Sequence, residues 1–138
     1  MNEIEVLYAA GDRLLVDVRG HDFVVDQPSQ SGGDDAGPTP TELFIASLAT
    51  CIGFYAERFL RRHERTPQGL RVLAGYEMST ARPARVASID VRLMLPEGTP
   101  ASLRPALRAV VEHCTVHNTL SEPPSVRIDI EERVPVGA

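Results

Sequence analysis

The sequence predicts an α+β fold in which mostly antiparallel sheets gather around one buried central helix. Three observations carry that expectation. Short segments with period-two alternation lie on both sides of the chain's middle, as strands with one buried face require. Between them, Gly37 to Arg65 reads GPTPTELFIASLATCIGFYAERFLRRHER, a helix apolar on nearly every face, which must be buried on nearly every face. A second, amphipathic helix follows, and the order three strands, helix, two strands, helix, strand suits helices packed on antiparallel sheets.

Residues 3–9 (EIEVLYA), 13–19 (RLLVDVR) and 22–27 (DFVVDQ) are expected strands of a meander, turning at Ala10-Gly11-Asp12 and Gly20-His21. From Pro28 to Pro38, PSQSGGDDAGP offers only Ala36 for burial and is expected to be a mobile loop. The central helix then starts with Thr39 as N-cap, Pro40 in the first position and Glu42 completing a capping box. Arg58, Arg61, Arg62, His63 and Arg65 suit its negative end, and Pro67 and Gly69 stop it. Residues 70–80 and 86–95 read as a strand pair joined near Ala81-Arg82-Pro83, with Ile89, Val91, Leu93 and Leu95 on one face and Asp90 and Arg92 on the other. Leu103, Ala106, Leu107, Val110, Val111 and Cys114 then recur at helical spacing, in a helix beginning near Ser102 that carries Cys114 on its buried stripe. Residues 125–134 (SVRIDIEERV) are the expected last strand, Val126, Ile128 and Ile130 alternating with Arg127, Asp129 and Glu131.

A chain of 138 residues, 43% hydrophobic and 24% charged, fits one domain spanning 1–138. Its net charge of -5, with arginines dispersed along the chain, argues against nucleic acid as a partner. No run reaches roughly 18 to 20 unbroken apolar residues, and MNEIEVLY opens with acids, so no membrane association is expected and the cytoplasm is the expected location. Lysine is absent, which excludes Schiff-base and lysine-base chemistry. One sheet of this size cannot surround a helix apolar on all faces, so an obligate homodimer is expected, the central helix packing also against the second copy.

The two cysteines, Cys51 and Cys114, are expected to be reduced at rest. They are either small core hydrophobes or a dithiol in which one thiolate attacks a peroxide and the other thiol captures the sulfenic acid. Burial raises a thiol's pKa, and Cys51 lies too deep in its helix to feel the N-terminal dipole, so a reactive Cys51 needs a cation from elsewhere. Arg13 and Arg19 in the meander are the candidates. Ser47 and Tyr55, one turn to either side of Cys51, share its face and are the expected lining of a thiol pocket; for Ser47 a hydroxyl bonded to backbone is the competing description. Glu42 points to the opposite face from Cys51, which leaves it the cap. His113, Cys114 and His117 offer metal-ligand types, but structural zinc takes four ligands and no second cysteine stands nearby. Capping of the second helix's negative end is the better role for both histidines, and no metal is expected.

The run GPTPTELFIASLATC, followed some 60 residues later by HCTVHNTL and a last alternating segment, resembles the OsmC/Ohr family of osmotically inducible and organic-hydroperoxide-resistance proteins. The resemblance covers nearly the whole chain. It implies an intertwined homodimer with active sites at the subunit interface and a reduction of organic hydroperoxides that needs no cofactor. It further implies Cys51 as the peroxidatic cysteine, Cys114 as the resolving one, and small dithiols or lipoylated proteins as reductant. The family also uses an arginine from the N-terminal meander, here Arg13 with Arg19 as the alternative, and a glutamate directly after the proline that opens the central helix. This chain has Thr41 at that place, with Glu42 one residue later. A rival reading is a non-catalytic dimer that binds a small hydrophobic ligand in the same pocket, its cysteines inert.

Overall fold

The computed structural model describes residues 1–134, an α+β chain of three helices and two antiparallel sheets. Strands β1 (Glu5–Ala10), β2 (Arg13–Val18) and β3 (His21–Val25) form the first sheet in that order. Helix α1 (Pro40–Arg62) follows, then β4 (Arg71–Met78) and β5 (Val86–Met94) as the second sheet. A 3-10 turn at Ala101–Leu103 leads into α2 (Arg104–Val111), and α3 (Thr115–Ser121) ends the regular structure.

The start of α1 is the one the sequence specifies. Thr39 Oγ1 accepts the Glu42 backbone N–H at 3.1 Å, and the Thr39 N–H donates back to Glu42 Oε1 at 2.9 Å. Such a cap contributes about 0.5 to 2 kcal/mol. The Glu42 carboxyl is accordingly held below its ordinary range by its hydrogen bonds to Thr39. Ile45, Leu48, Ile52, Ala56 and Phe59 form the buried stripe of α1, which packs on β4, β5, α2 and α3. On the second sheet, Val72 pairs with Leu93, Ala74 with Val91 and Tyr76 with Ile89, so the predicted alternation of β5 faces the helix.

Burial on every face is not what one chain achieves. Phe44 and Phe54 remain exposed, Phe54 by 60%, so α1 is covered by its own chain along one side only. By length and composition α1 also resembles a membrane-crossing helix, and it packs on two strands and two helices of its own chain. The first sheet contacts chiefly itself. Val6, Leu7 and Tyr8 of β1 are all more than half exposed.

Three expectations are corrected. The predicted strand at 125–134 is not formed: the segment runs unpaired, with Val126, Ile128 and Ile130 at least 80% exposed. Alternation specifies which side chains share a face, but a strand also needs a partner edge, and the alternation says nothing of where that edge lies. The helix expected to carry Cys114 stops at Val111, and Cys114 adopts extended backbone (φ -66°, ψ 153°) as the N-cap of α3. The loop from Pro28 to Pro38 is not loose: the Asp26 carboxylate binds it, and the Asp26 N–H donates to Pro38 O at 3.2 Å.

Accessible surface measures how open the chain is. It totals 11036 Å², against the ~7,100 Å² expected of a compact 15.1 kDa monomer.

Candidate functional site

Leu48 and Ile52 of α1 and Cys114 at the start of α3 make one buried cluster, and Cys51, Tyr55, Val72, Ile89 and Val91 are among the residues packed against it. Two cysteines separated by most of the second half of the chain thus meet at one apolar centre. Helix α1 presents Cys51 half-buried on the turn between Leu48 and Tyr55, while the break after α2 turns Cys114 inward until it is fully buried.

The chain conformation at Cys114 is set by hydrogen bonding. Its Sγ accepts the backbone N–H of His117 at 3.4 Å, the bond that a serine oxygen makes at other helix starts. The Cys-x-x-His spacing that offers metal ligands is also the spacing of an N-cap and the third residue of a helix. Burial pushes the Cys114 thiol above its ordinary value, the His117 N–H pulls the other way, and the neighbouring Cys51 thiol raises it further. Both thiols are free.

The histidines take the capping roles expected of them. The His113 ring bonds Ala109 O at 2.8 Å, and the His117 ring bonds Glu112 O, which satisfies carbonyls at the end of α2. Among the described residues, no group of three or more histidine, cysteine, aspartate or glutamate side chains is arranged to hold a metal ion.

Tyr55 belongs to the cysteine cluster and ties two helices together, its hydroxyl lying 3.1 Å from Thr115 Oγ1. Ser47 does not join it. Its hydroxyl is exposed and donates to Phe44 O at 2.7 Å, which is the backbone-bonded description. Arg13 opens β2, in the first sheet, and its Nε is buried without a hydrogen-bond partner. Arg19 occupies the turn between β2 and β3, exposed and with positive φ (53°).

Nothing in the sequence singles out Asp26, yet it is 1% exposed and holds three backbone N–H groups. Oδ1 accepts from Gln27 at 2.7 Å, and Oδ2 accepts from Asp34 at 3.2 Å and Ala36 at 3.0 Å. The Ala36 bond is the largest cause holding this carboxyl below its ordinary range; burial opposes it, and the Gln27 and Asp34 bonds and the Arg13 charge assist. The available signal was the loop's Gly33 and Gly37, where a Cβ would strike the Gln27 and Val24 carbonyls respectively. Close backbone approach of this kind marks a loop that is folded back on its stem.

A groove of about 1050 Å³ opens on the same core, between β5 and α2. Leu48, Ile52, Val91, Leu107 and Val111 lie along it, and Arg104, Arg108, Glu112 and His117 supply its polar lining.

The sequence profile of the OsmC-like protein family matches residues 32–129. This chain belongs to the OsmC-like family. Solved structures agree in fold across nearly the whole of this OsmC-like chain. An OsmC-like protein from Mycoplasma pneumoniae superposes with a TM-score of 0.75 at 16% identity, covering 89% of each chain. A candidate osmotic-stress-induced and detoxification-response protein from Psychrobacter arcticus gives 0.78 at 19% identity, over 86% of this chain and 88% of its own. An organic hydroperoxide resistance protein OsmC from Legionella pneumophila gives 0.66 at 14% identity, over 87% and 88%. At these identities the likeness concerns the fold. No match was found among curated proteins.

Proposed function

We propose that this OsmC-like protein is a thiol peroxidase that reduces organic hydroperoxides as an intertwined homodimer. The observation that carries the reading is the convergence of Cys51 and Cys114 on one apolar cluster, within a family whose relatives include a protein named for organic hydroperoxide resistance. In the proposed cycle the Cys51 thiolate attacks the distal peroxide oxygen. The O–O bond breaks, the alcohol leaves with a proton, and Cys51 becomes a sulfenic acid. Cys114 then displaces its hydroxyl as water to form the disulfide, and an external dithiol or a lipoylated protein returns both thiols while becoming a disulfide itself.

Each group has a role in this reading. The half-buried position of Cys51 lets a hydroperoxide reach it, and full burial of Cys114 reserves that thiol for the sulfenic acid. Tyr55 lines the substrate side and fixes the α1–α3 approach through Thr115. Ser47, one turn before Cys51, is assigned to the mouth of the pocket. Arg13 is the cation that activates Cys51. Because the first sheet contacts chiefly itself, that arginine comes in this reading from the sheet of the second copy, which makes the dimer part of the active site.

A second reading has its own observation. The groove between β5 and α2 is sizeable and is lined by Leu48, Ile52 and Val91 of the cysteine cluster, so a non-catalytic dimer would hold its small hydrophobic ligand against the same core. Consumption of cumene or fatty-acid hydroperoxide with dihydrolipoamide, compared among wild type, Cys51→Ser and Cys114→Ser, separates the two. Turnover that requires both cysteines supports the peroxidase, and its absence in folded wild type supports the binding module.

A further inference from the structure

We propose that α3 is a redox-responsive element: joining Cys114 to Cys51 takes away the sulfur that caps α3, and the groove wall at His117 shifts with it. The inference rests on the reading that these two cysteines form a disulfide. Its basis is the double attachment of His117. The His117 backbone N–H donates to Cys114 Sγ at 3.4 Å, and its ring, bonded to Glu112 O, stands with Glu112 in the lining of the groove between β5 and α2. One residue therefore touches a fully buried cysteine with its main chain and lines a groove with its side chain.

Which element yields on oxidation is decided by how firmly each is held. Oxidation removes one proton and one electron from each thiol and makes a single S–S bond, whose geometry ties both sulfurs to both backbones. Cys51 is fixed in α1, a helix of 23 residues of which six are buried. By contrast α3 has seven residues, none of them buried. A helix that short does not persist by itself in water, so α3 depends on what its start and its neighbours supply. These are the Cys114 cap, the Tyr55 hydroxyl 3.1 Å from Thr115 Oγ1, and the Asn118 side-chain amide, which donates to His113 O at 3.0 Å. A sulfur drawn toward α1 leaves the His117 N–H without its acceptor, and the first turn of α3 loosens. The His117 ring then leaves Glu112 O with its backbone. His113 is the contrast, since its ring bonds Ala109 O at 2.8 Å, four residues back on the other side of the break, and needs nothing from Cys114. The groove thus has one shape in the dithiol protein and another in the disulfide protein.

The test oxidises the full-length protein with diamide, which takes up the two protons and two electrons and becomes a hydrazine, so that no peroxidase activity is needed. Intact mass establishes the intrachain disulfide. Two peptide-resolved rates are then compared, amide hydrogen exchange over residues 114–121 and modification of His113 and His117 by diethyl pyrocarbonate. Oxidation is expected to speed exchange at the start of α3 by about fivefold, the size of a lost cap. His117 should become more reactive while His113 does not change, and dithiothreitol should reverse both effects. Cys114→Ala should exchange fast without oxidant, Cys114→Ser should stay slow because serine keeps an acceptor, and Cys51→Ser should not respond to diamide. The wild-type comparison decides even where a variant does not fold. Unchanged rates in protein shown to hold the disulfide overturn the proposal, and so does an equal rise at His113, which would mark general loosening. Failure of folded wild type to form the disulfide overturns it together with the thiol pair. A disulfide and a loosened α3 without hydroperoxide turnover would uphold the switch and count against the peroxidase alone.

Discussion

Cys114 Sγ caps α3 by accepting the His117 backbone N–H at 3.4 Å, so the proposed resolving thiol is also a structural acceptor. The two roles separate on substitution. Serine preserves an acceptor of similar placement, whereas alanine leaves the N–H without one. Cys114→Ala is expected to be less stable than Cys114→Ser by about 1 kcal/mol, measured by urea denaturation. Equal stabilities would show that the sulfur contributes no cap.

Oxidation supplies a second prediction. Stoichiometric organic hydroperoxide is expected to convert both free thiols into one intrachain disulfide, seen by intact mass as the loss of two alkylation sites. A disulfide redirects Cys114 Sγ toward Cys51, so amide exchange in the first turn of α3 should quicken on oxidation and recover on reduction. Cys114→Ser should stop at the Cys51 sulfenic acid or overoxidise. Two alkylatable thiols after peroxide treatment of folded protein would mark the cysteines as inert.

What was legible in the sequence was whatever local chemistry decides. The Thr39 and Glu42 capping box, the alternation of Ile89, Val91 and Leu93, and the histidine caps of α2 follow from side chains acting on neighbouring backbone. The residues misread are those whose role depends on distant chain. Cys114 fits the apolar stripe of the preceding helix as well as it fits a cap, and only the packing against Leu48 and Ile52 distinguishes them. Asp26 sits where a strand ends, and its three N–H partners lie in a loop whose composition suggests mobility. At 125–134 the alternation is correct and the pairing edge is missing. Of the site, the cysteine pair could be named from its residues, but their convergence could not be known without the fold.

The carboxylates of the first sheet give opposite pH signatures. Glu5, Asp17 and Asp22 stand in one row across β1, β2 and β3, and like charges opposite one another destabilise a sheet. The Asp22 carboxyl is raised above its ordinary range, first by its hydrogen bond to Asp17, then by desolvation and by the Asp17 charge. The folded state therefore holds this proton more tightly than the unfolded chain, and stability falls as pH rises from about 4, the unfolded value, through the folded one. Asp22→Asn should raise the urea midpoint at pH 7, a gain that shrinks on acidification. Asp26 is lowered instead, so its contribution is present above about 4 and is lost as pH falls through the folded value. Asp26→Asn should lower the midpoint at pH 7 and flatten the acid limb. Parallel acid limbs in wild type and Asp26→Asn would count against the loop anchor.

The last prediction concerns assembly. One chain leaves Phe44 and Phe54 of α1, Leu7 and Tyr8 of β1, and the alternating side chains of 125–134 in solvent, and its surface exceeds that of a compact monomer by roughly 4,000 Å². Large apolar side chains exposed in this number are not left open on a stable monomer. They are also spread over three separate regions of the chain, so a partner that covers all of them must interleave with it instead of touching one patch. Folding and association are then expected to be a single transition, with a urea midpoint that rises with protein concentration. Phe54→Asp tests the helix face, where the ring is 60% exposed and carries the Arg58 guanidinium 5.9 Å from its centroid. Burying the new carboxylate against a second copy is costly, and the variant should lose helical content along with the dimer instead of releasing a folded monomer. Sedimentation of wild type at micromolar concentration should give a species of two chains; a folded monomer there would remove both the obligate dimer and the delivery of Arg13 from a second copy.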